Sequence, residues 1–143
     1  MERLSFEEKF GRSYGIYETY KTNDADLIIV GMGAQFRNVR PVIDSLRKEG
    51  KKFGMLRIRL YRPFPYKEIG KILDKREIKK ILVLDRAISP GAFAPLYSEV
   101  SLAVDDKSKV SSVIAGLSGR DLSVQFFENL LRKWPERKMK KWV

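Results

Sequence analysis

Residues 27–60 read LIIVGMGAQFRNVRPVIDSLRKEGKKFGMLRIRL, and the switch of period inside this stretch decides the fold. Leu27–Gly31 is a short continuous apolar run, the pattern of a strand buried on both faces. Val39, Val42, Ile43 and Leu46 then recur at i, i+3, i+4 and i+7, which predicts an amphipathic helix ending at Gly50. Asn38 is placed as its N-cap, and Pro41 still lies in the first turn, where proline is tolerated. Phe53–Leu60 is the next strand. The unit is therefore strand, helix, strand.

The same alternation continues outward. Pro65 starts a short helix carrying Ile69, Ile72 and Leu73, and Ile81–Leu84 (ILVL) is a third apolar run. A helix beginning near Gly91 is expected to present Leu96, Val100 and Val104. Val110–Ala115 (VSSVIA) is the last strand of the series, and a final helix opens near Ser123 with Val124, Phe127, Leu130 and Leu131 inward. Strands and helices alternating at this spacing argue for an α/β domain, a mostly parallel sheet covered on both faces. Upstream, Phe6, Phe10, Tyr14, Tyr17 and Tyr20 lie three or four apart, but Gly11 and Gly15 interrupt a helix, and Ile16–Tyr20 (IYETY) reads as a short additional strand. These rings are to be buried on this domain or on another chain. Three parts follow: an N-terminal linker over 1–26, the α/β domain over 27–131 and a basic tail over 132–143.

Composition narrows the chemistry. With 143 residues the chain suits one domain. It has no Cys and no His, which removes thiolate nucleophiles, cysteine-held iron–sulfur clusters, imidazole bases and the commonest metal ligands. No catalytic or metal-ligating residue is assigned. No apolar run approaches the roughly 20 residues that span a bilayer, and the first ten residues lack a secretory apolar core, so a cytoplasmic location is expected. The net charge of +11 invites a nucleic-acid reading. Yet Arg132–Val143 alone holds six Lys/Arg against one Glu, and the remainder is rich in both signs, as in heat-adapted proteins. The tail carries Trp134 and Trp142, which stack bases in some proteins, but a partner-docked or disordered tail is the favoured reading.

In open parallel sheets, ligands bind beyond the carboxyl ends of the strands. There lie Gly31–Gln35, Tyr61–Pro65, Asp85–Gly91 and Gly116–Asp121. Gly31 and Gly33 make half of a dinucleotide fingerprint, but the third position is Phe36, so a tight turn is the better reading. Arg57 and Arg59 face one side of their strand. They either pair with carboxylates such as Asp85, the favoured option, or form an anion site. Asp85-Arg86 and Arg120-Asp121 place acid beside base at neighbouring strand ends, with Gly91, Gly116 and Gly119 allowing close backbone approach. Such pairs clamp a ligand at helix N-termini, knit loops together or dock a subunit, and docking is favoured.

Four motifs in order, FGRSYG (Phe10–Gly15), YRPFP (Tyr61–Pro65), VLDRAISPGAFAPLYSEV (Val83–Val100) and GLSGRD (Gly116–Asp121), carry a resemblance over about Glu7–Leu131. The chain resembles the C-terminal part of the alpha subunit of pyruvate- and branched-chain 2-oxoacid:ferredoxin oxidoreductases. RPFP and the lysine-rich stretch before it resemble that group more than the 2-oxoglutarate group. The resemblance implies a transketolase C-terminal-like fold: three layers, α/β/α, with a five-stranded sheet containing one antiparallel strand, the fifth supplied by Ile16–Tyr20. It implies a complex that decarboxylates a 2-oxoacid, loads the acyl group on coenzyme A and reduces ferredoxin, using thiamine diphosphate, Mg and iron–sulfur clusters. Those centres sit mainly on other domains or subunits, so this chain is expected to bind none of them alone. Its expected partners are the thiamine-pyrimidine-binding part, which normally precedes this segment, and the beta, gamma and delta subunits, with ferredoxin met through the complex. Set against the resemblance, either a split gene or a fragment of a longer chain is expected. Arg62, Asp85, Arg86, Arg120 and Asp121 match motif positions and are assigned to loop architecture and interfaces. The alternatives are an anion- or coenzyme A-binding module using Arg57, Arg59, Arg62, Arg86 and Arg120, and a nucleic-acid-binding protein acting through its tail.

Overall fold

The computed structural model describes residues 8–134. Five strands form one sheet: β1 Tyr17–Tyr20, β2 Leu27–Met32, β3 Phe53–Ile58, β4 Lys80–Asp85 and β5 Val110–Ile114, in the spatial order β1-β3-β2-β4-β5. β2, β3, β4 and β5 pair in parallel, and β1 runs antiparallel along β3 with Glu18 opposite Arg57. Among the described residues four helices flank it: α1 Val39–Lys48, α2 Tyr66–Leu73, α3 Pro95–Ala103 and α4 Val124–Lys133. The expected three-layer α/β architecture with one antiparallel strand is what the chain adopts.

Two cores result because alternate strand residues point to opposite faces. Ile28, Val30, Leu56, Ile58, Ile81 and Val83 pack under α2 and α3 against Ile69, Leu73, Leu96 and Val100. Ile29, Phe53, Met55, Leu82 and Leu84 pack under α1 and α4 against Val39, Ile43, Leu46, Phe127 and Leu131. α2 and α3 lie so close that a Cβ on Gly70 would stand 2.6 Å from the Ala103 carbonyl oxygen. Gly70→Ala is therefore expected to destabilise by about 1–3 kcal/mol in thermal unfolding, although alanine is the better helix former.

Several local expectations are corrected. The helix expected near Gly91 starts at Pro95, because residues 86–94 form a loop that ends in an extended Ala94. Asn38 does not cap α1 through its side chain: a 3-10 turn, Ala34–Asn38, leads into the helix, and the Asn38 amide instead donates to the Leu122 carbonyl at 2.8 Å. Val124, expected inward, is exposed at the first turn of α4, whereas Ser123 does cap that helix by accepting the Phe126 N–H at 3.1 Å. α4 also runs past residue 131 into the segment read as a basic tail, and Trp134 is buried against Phe53 with centroids 6.3 Å apart. Positions 135–143, with Trp142, lie outside the described residues, as does Phe6. Phe10 and Tyr14 present exposed rings ahead of β1. Among the described residues no helix is long and apolar enough to cross a membrane.

Candidate functional site

The connection from β2 passes over one face through α1, while those from β3 and β4 pass over the other through α2 and α3. The carboxyl ends of β2 and β4 therefore form the topological switch point, where open α/β sheets usually hold ligands. Here that crevice is filled by the protein itself. The buried Phe36 ring lies directly over Gly31, in the space a Cβ at that position would need. Glycine at 31 thus serves close packing and leaves no groove for a pyrophosphate.

Asp85, the last residue of β4, is buried and does not pair with Arg57 or Arg59, as the sequence had suggested. Its carboxylate accepts the backbone N–H of Leu96 at 2.8 Å and of Tyr97 at 3.0 Å. It thereby satisfies two donors of the first turn of α3, a turn for which Ala94 supplies no side-chain cap. Burial pushes the Asp85 carboxyl above the ordinary range, and the two amide hydrogen bonds pull the other way. Asp85 is loop architecture, not an acid beside a base.

The arginines expected to converge lie in three places. Arg57 and Arg59 face the α1 side and share Glu18 of β1, with Nη2 to Oε2 distances of 3.4 and 2.5 Å; Arg40 of α1 reaches the same carboxylate. Arg62 belongs to the other face. It pairs with Glu99 of α3 at 2.7 Å, alongside the Tyr66 hydroxyl, and its guanidinium lies 4.2 Å over the Tyr61 ring. Arg86 donates to the Gly116 carbonyl at 3.4 Å, knitting the loops after β4 and β5. Arg120 and Asp121 are exposed beside them, and among the described residues Arg86, Arg120 and Asp121 make no ion pair. Gly116 is left-handed (φ 75°), and a Cβ there would meet Arg86 Nε at 2.9 Å. Gly91 and Gly119 have open space around them, so they make turns without the expected close approach.

Glu18, Arg40 and Glu99 were not singled out by sequence. The one available signal for Glu18 was its outlying charge in the aromatic strand IYETY.

The loops after β4 and β5 also expose apolar side chains. Ile88 is 59% and Phe93 69% exposed, and Leu117 lies open in the neighbouring loop. No cysteine is available for an iron–sulfur cluster, and among the described residues no group of three or more His, Cys, Asp or Glu is placed to hold a metal. What this edge offers is an uncovered apolar surface flanked by unpaired charges.

Residues 25–127 match the family model described as pyruvate:ferredoxin oxidoreductase core domain II. The chain is 40% identical over 140 residues to pyruvate synthase subunit PorA of Methanothermobacter thermautotrophicus, covering 96% of this chain and 36% of that protein. It is 42% identical to PorA of Thermotoga maritima, covering 82% of this chain and 30% of that protein. Ketoisovalerate oxidoreductase subunit VorA of Pyrococcus horikoshii is 39% identical over 84% of the chain and 31% of its own length. The chain thus spans about a third of the length of the curated relatives it matches. A solved 2-oxoglutarate:ferredoxin oxidoreductase from Magnetococcus marinus, with 2-oxoglutarate, coenzyme A and succinyl-CoA bound, superposes with a TM-score of 0.63 at 18% identity. That superposition covers 90% of this chain and 21% of that one, a likeness of fold.

Proposed function

The chain belongs to the pyruvate:ferredoxin oxidoreductase core domain II family, and from that premise we propose that it is the docking domain of a 2-oxoacid:ferredoxin oxidoreductase alpha subunit of the pyruvate type. The complete assembly decarboxylates the 2-oxoacid, transfers the acyl group to coenzyme A and passes electrons to ferredoxin. Thiamine diphosphate, Mg and the iron–sulfur clusters supply that chemistry from other parts of the assembly. This domain contributes shape and contact surface, and no acid–base or covalent step is assigned to its residues.

The observation that carries the reading is the exposure of Ile88 and Phe93 in the loop where the family motif DRAISPGAF lies. Large apolar side chains left open beside a rigid strand end, with Arg86, Arg120 and Asp121 around them, have the make-up of an interface core with a charged rim. Asp85 ties the end of the first loop to the start of α3, and Arg86 bridges that loop to the second, which holds the surface in shape.

The test is the double variant Ile88→Asp/Phe93→Asp. Both side chains are exposed, so the chain is expected to keep its thermal midpoint within about 2 °C. Expressed with the remaining portion of a PorA-type subunit and its partner subunits, it is expected to lose co-elution and at least about tenfold of the 2-oxoacid-dependent ferredoxin reduction. Undiminished assembly would remove this edge as the docking surface.

A further inference from the structure

We infer that the arginines gathered around Glu18 form a binding site for a phosphate-type oxyanion. Three guanidinium groups, those of Arg40, Arg57 and Arg59, converge on this single carboxylate. They come from two elements, the start of α1 and the carboxyl end of β3, while Glu18 reaches them from the antiparallel edge strand. Arg37, on the turn leading into α1, is close enough for its charge to act on Arg57. The side chains of Glu18 and Arg57 are 12% and 11% exposed, so water screens their inner atoms poorly.

One carboxylate does not match this set. A structural ion pair needs a single arginine, and each further like charge adds repulsion. The donor inventory is short of acceptors as well: Arg57 Nη1 and Arg40 Nε are buried and have no hydrogen-bond partner among the described residues. Arg57 is held below the usual guanidinium range, first by burial and then by Arg59, Arg37 and Arg40. A doubly charged tetrahedral anion supplies both missing quantities, negative charge and acceptor oxygens. Arginine forks suit it geometrically. The outer parts of the site remain reachable, since Arg40 is 43% and Arg59 28% exposed. Arg40 is also steadied by the Tyr20 ring, 5.3 Å from its guanidinium carbon. The site lies beside the edge strand, apart from the Ile88 and Phe93 loop, so its outcome does not depend on the docking assignment.

The experiment titrates the 143-residue chain with inorganic phosphate at fixed ionic strength and follows the thermal midpoint and calorimetric heat. A rise of several degrees at about a hundredfold excess over Kd is expected, with no response to chloride or acetate at the same ionic strength. Arg40→Gln and Arg59→Gln, both at partly exposed positions, are expected to weaken phosphate by about tenfold each. Glu18→Gln removes the competing internal anion and is expected to tighten phosphate several-fold even as it lowers the ligand-free midpoint. A purely structural cluster would not do this. Glycerol 2-phosphate distinguishes the source: tighter binding of the ester identifies a phosphate carried on a larger molecule, and equal or weaker binding identifies the free ion. Absence of a phosphate response in the unaltered chain, an equal response to acetate, or affinity unchanged in both arginine variants would overturn the site.

Discussion

Replacing Phe127 with alanine is expected to lower the unfolding free energy by about 3–5 kcal/mol, measured as a shift of the urea midpoint at constant slope. Phe127 is fully buried and meets Phe36 edge to face, with centroids 6.0 Å apart, and Phe126 at 5.3 Å. Phe36 in turn fills the crevice over Gly31. One ring therefore ties α4 to the turn before α1 and, through it, to the end of β2. Removing it leaves a cavity that neither the sheet nor the short turn can collapse into. Domains of this size are stable by about 5–15 kcal/mol, so the loss is a large fraction of the total and lowers the thermal midpoint by about 10 °C or more. A loss below about 1 kcal/mol would mean that the rings are not the pin between these elements.

The second large effect is at Asp85. Asp85→Ala leaves the N–H groups of Leu96 and Tyr97 without their acceptors at a buried helix start. The expected cost is about 2–4 kcal/mol, the sum of a lost cap and two unsatisfied donors. Asp85→Asn keeps one acceptor oxygen and is expected to cost less at neutral pH, because it also removes the burial of a charge. The pH dependence separates the two contributions. The folded-state pKa of Asp85 is raised, chiefly by burial. The native state therefore binds the proton more tightly than the unfolded chain. Stability contributed by this group is fully present below the ordinary carboxylate range and is lost as pH rises through the folded value. The midpoint of the unaltered chain minus that of Asp85→Asn should thus grow between about pH 7 and about pH 4. A difference that shrinks with acid would show that the amide hydrogen bonds outweigh burial.

Most of the sheet was legible because its strands are apolar on both faces. Leu27–Gly31 and Ile81–Leu84 have few alternatives at that length, and the period of Val39, Val42, Ile43 and Leu46 is unambiguous. Even β1 showed itself, since the glycines before it rule out a helix. Local propensity failed where a distant residue decides. Asp85 caps a helix eleven residues on, and Asn38 turns to Leu122 across the domain. Neither choice is written in the neighbouring residues. The charges of residues 132–143 mask a helical period that continues into them: Phe127, Leu131 and Trp134 lie at i, i+4 and i+7, and the structure buries all three.

The candidate site was less legible than the fold, for a register reason. Arg57 and Arg59 were correctly placed on one side of their strand, but the carboxylate they meet depends on how β1 pairs with β3. A shift of one residue would put Glu18 on the other face. Nothing in IYETY sets that pairing. Likewise Arg62, Arg86 and Arg120 follow successive strands in sequence order, yet β2 lies between β3 and β4 in the sheet, which separates Arg62 from the others.

The most direct test of the central claim is purification of this chain, tagged, from its natural source under conditions that preserve assemblies. The account predicts co-elution in fixed stoichiometry with thiamine-dependent oxidoreductase subunits, and ferredoxin reduction that depends on added 2-oxoacid and coenzyme A. Recovery as a stable free monomer, with no such subunits attached and no such activity, would contradict it.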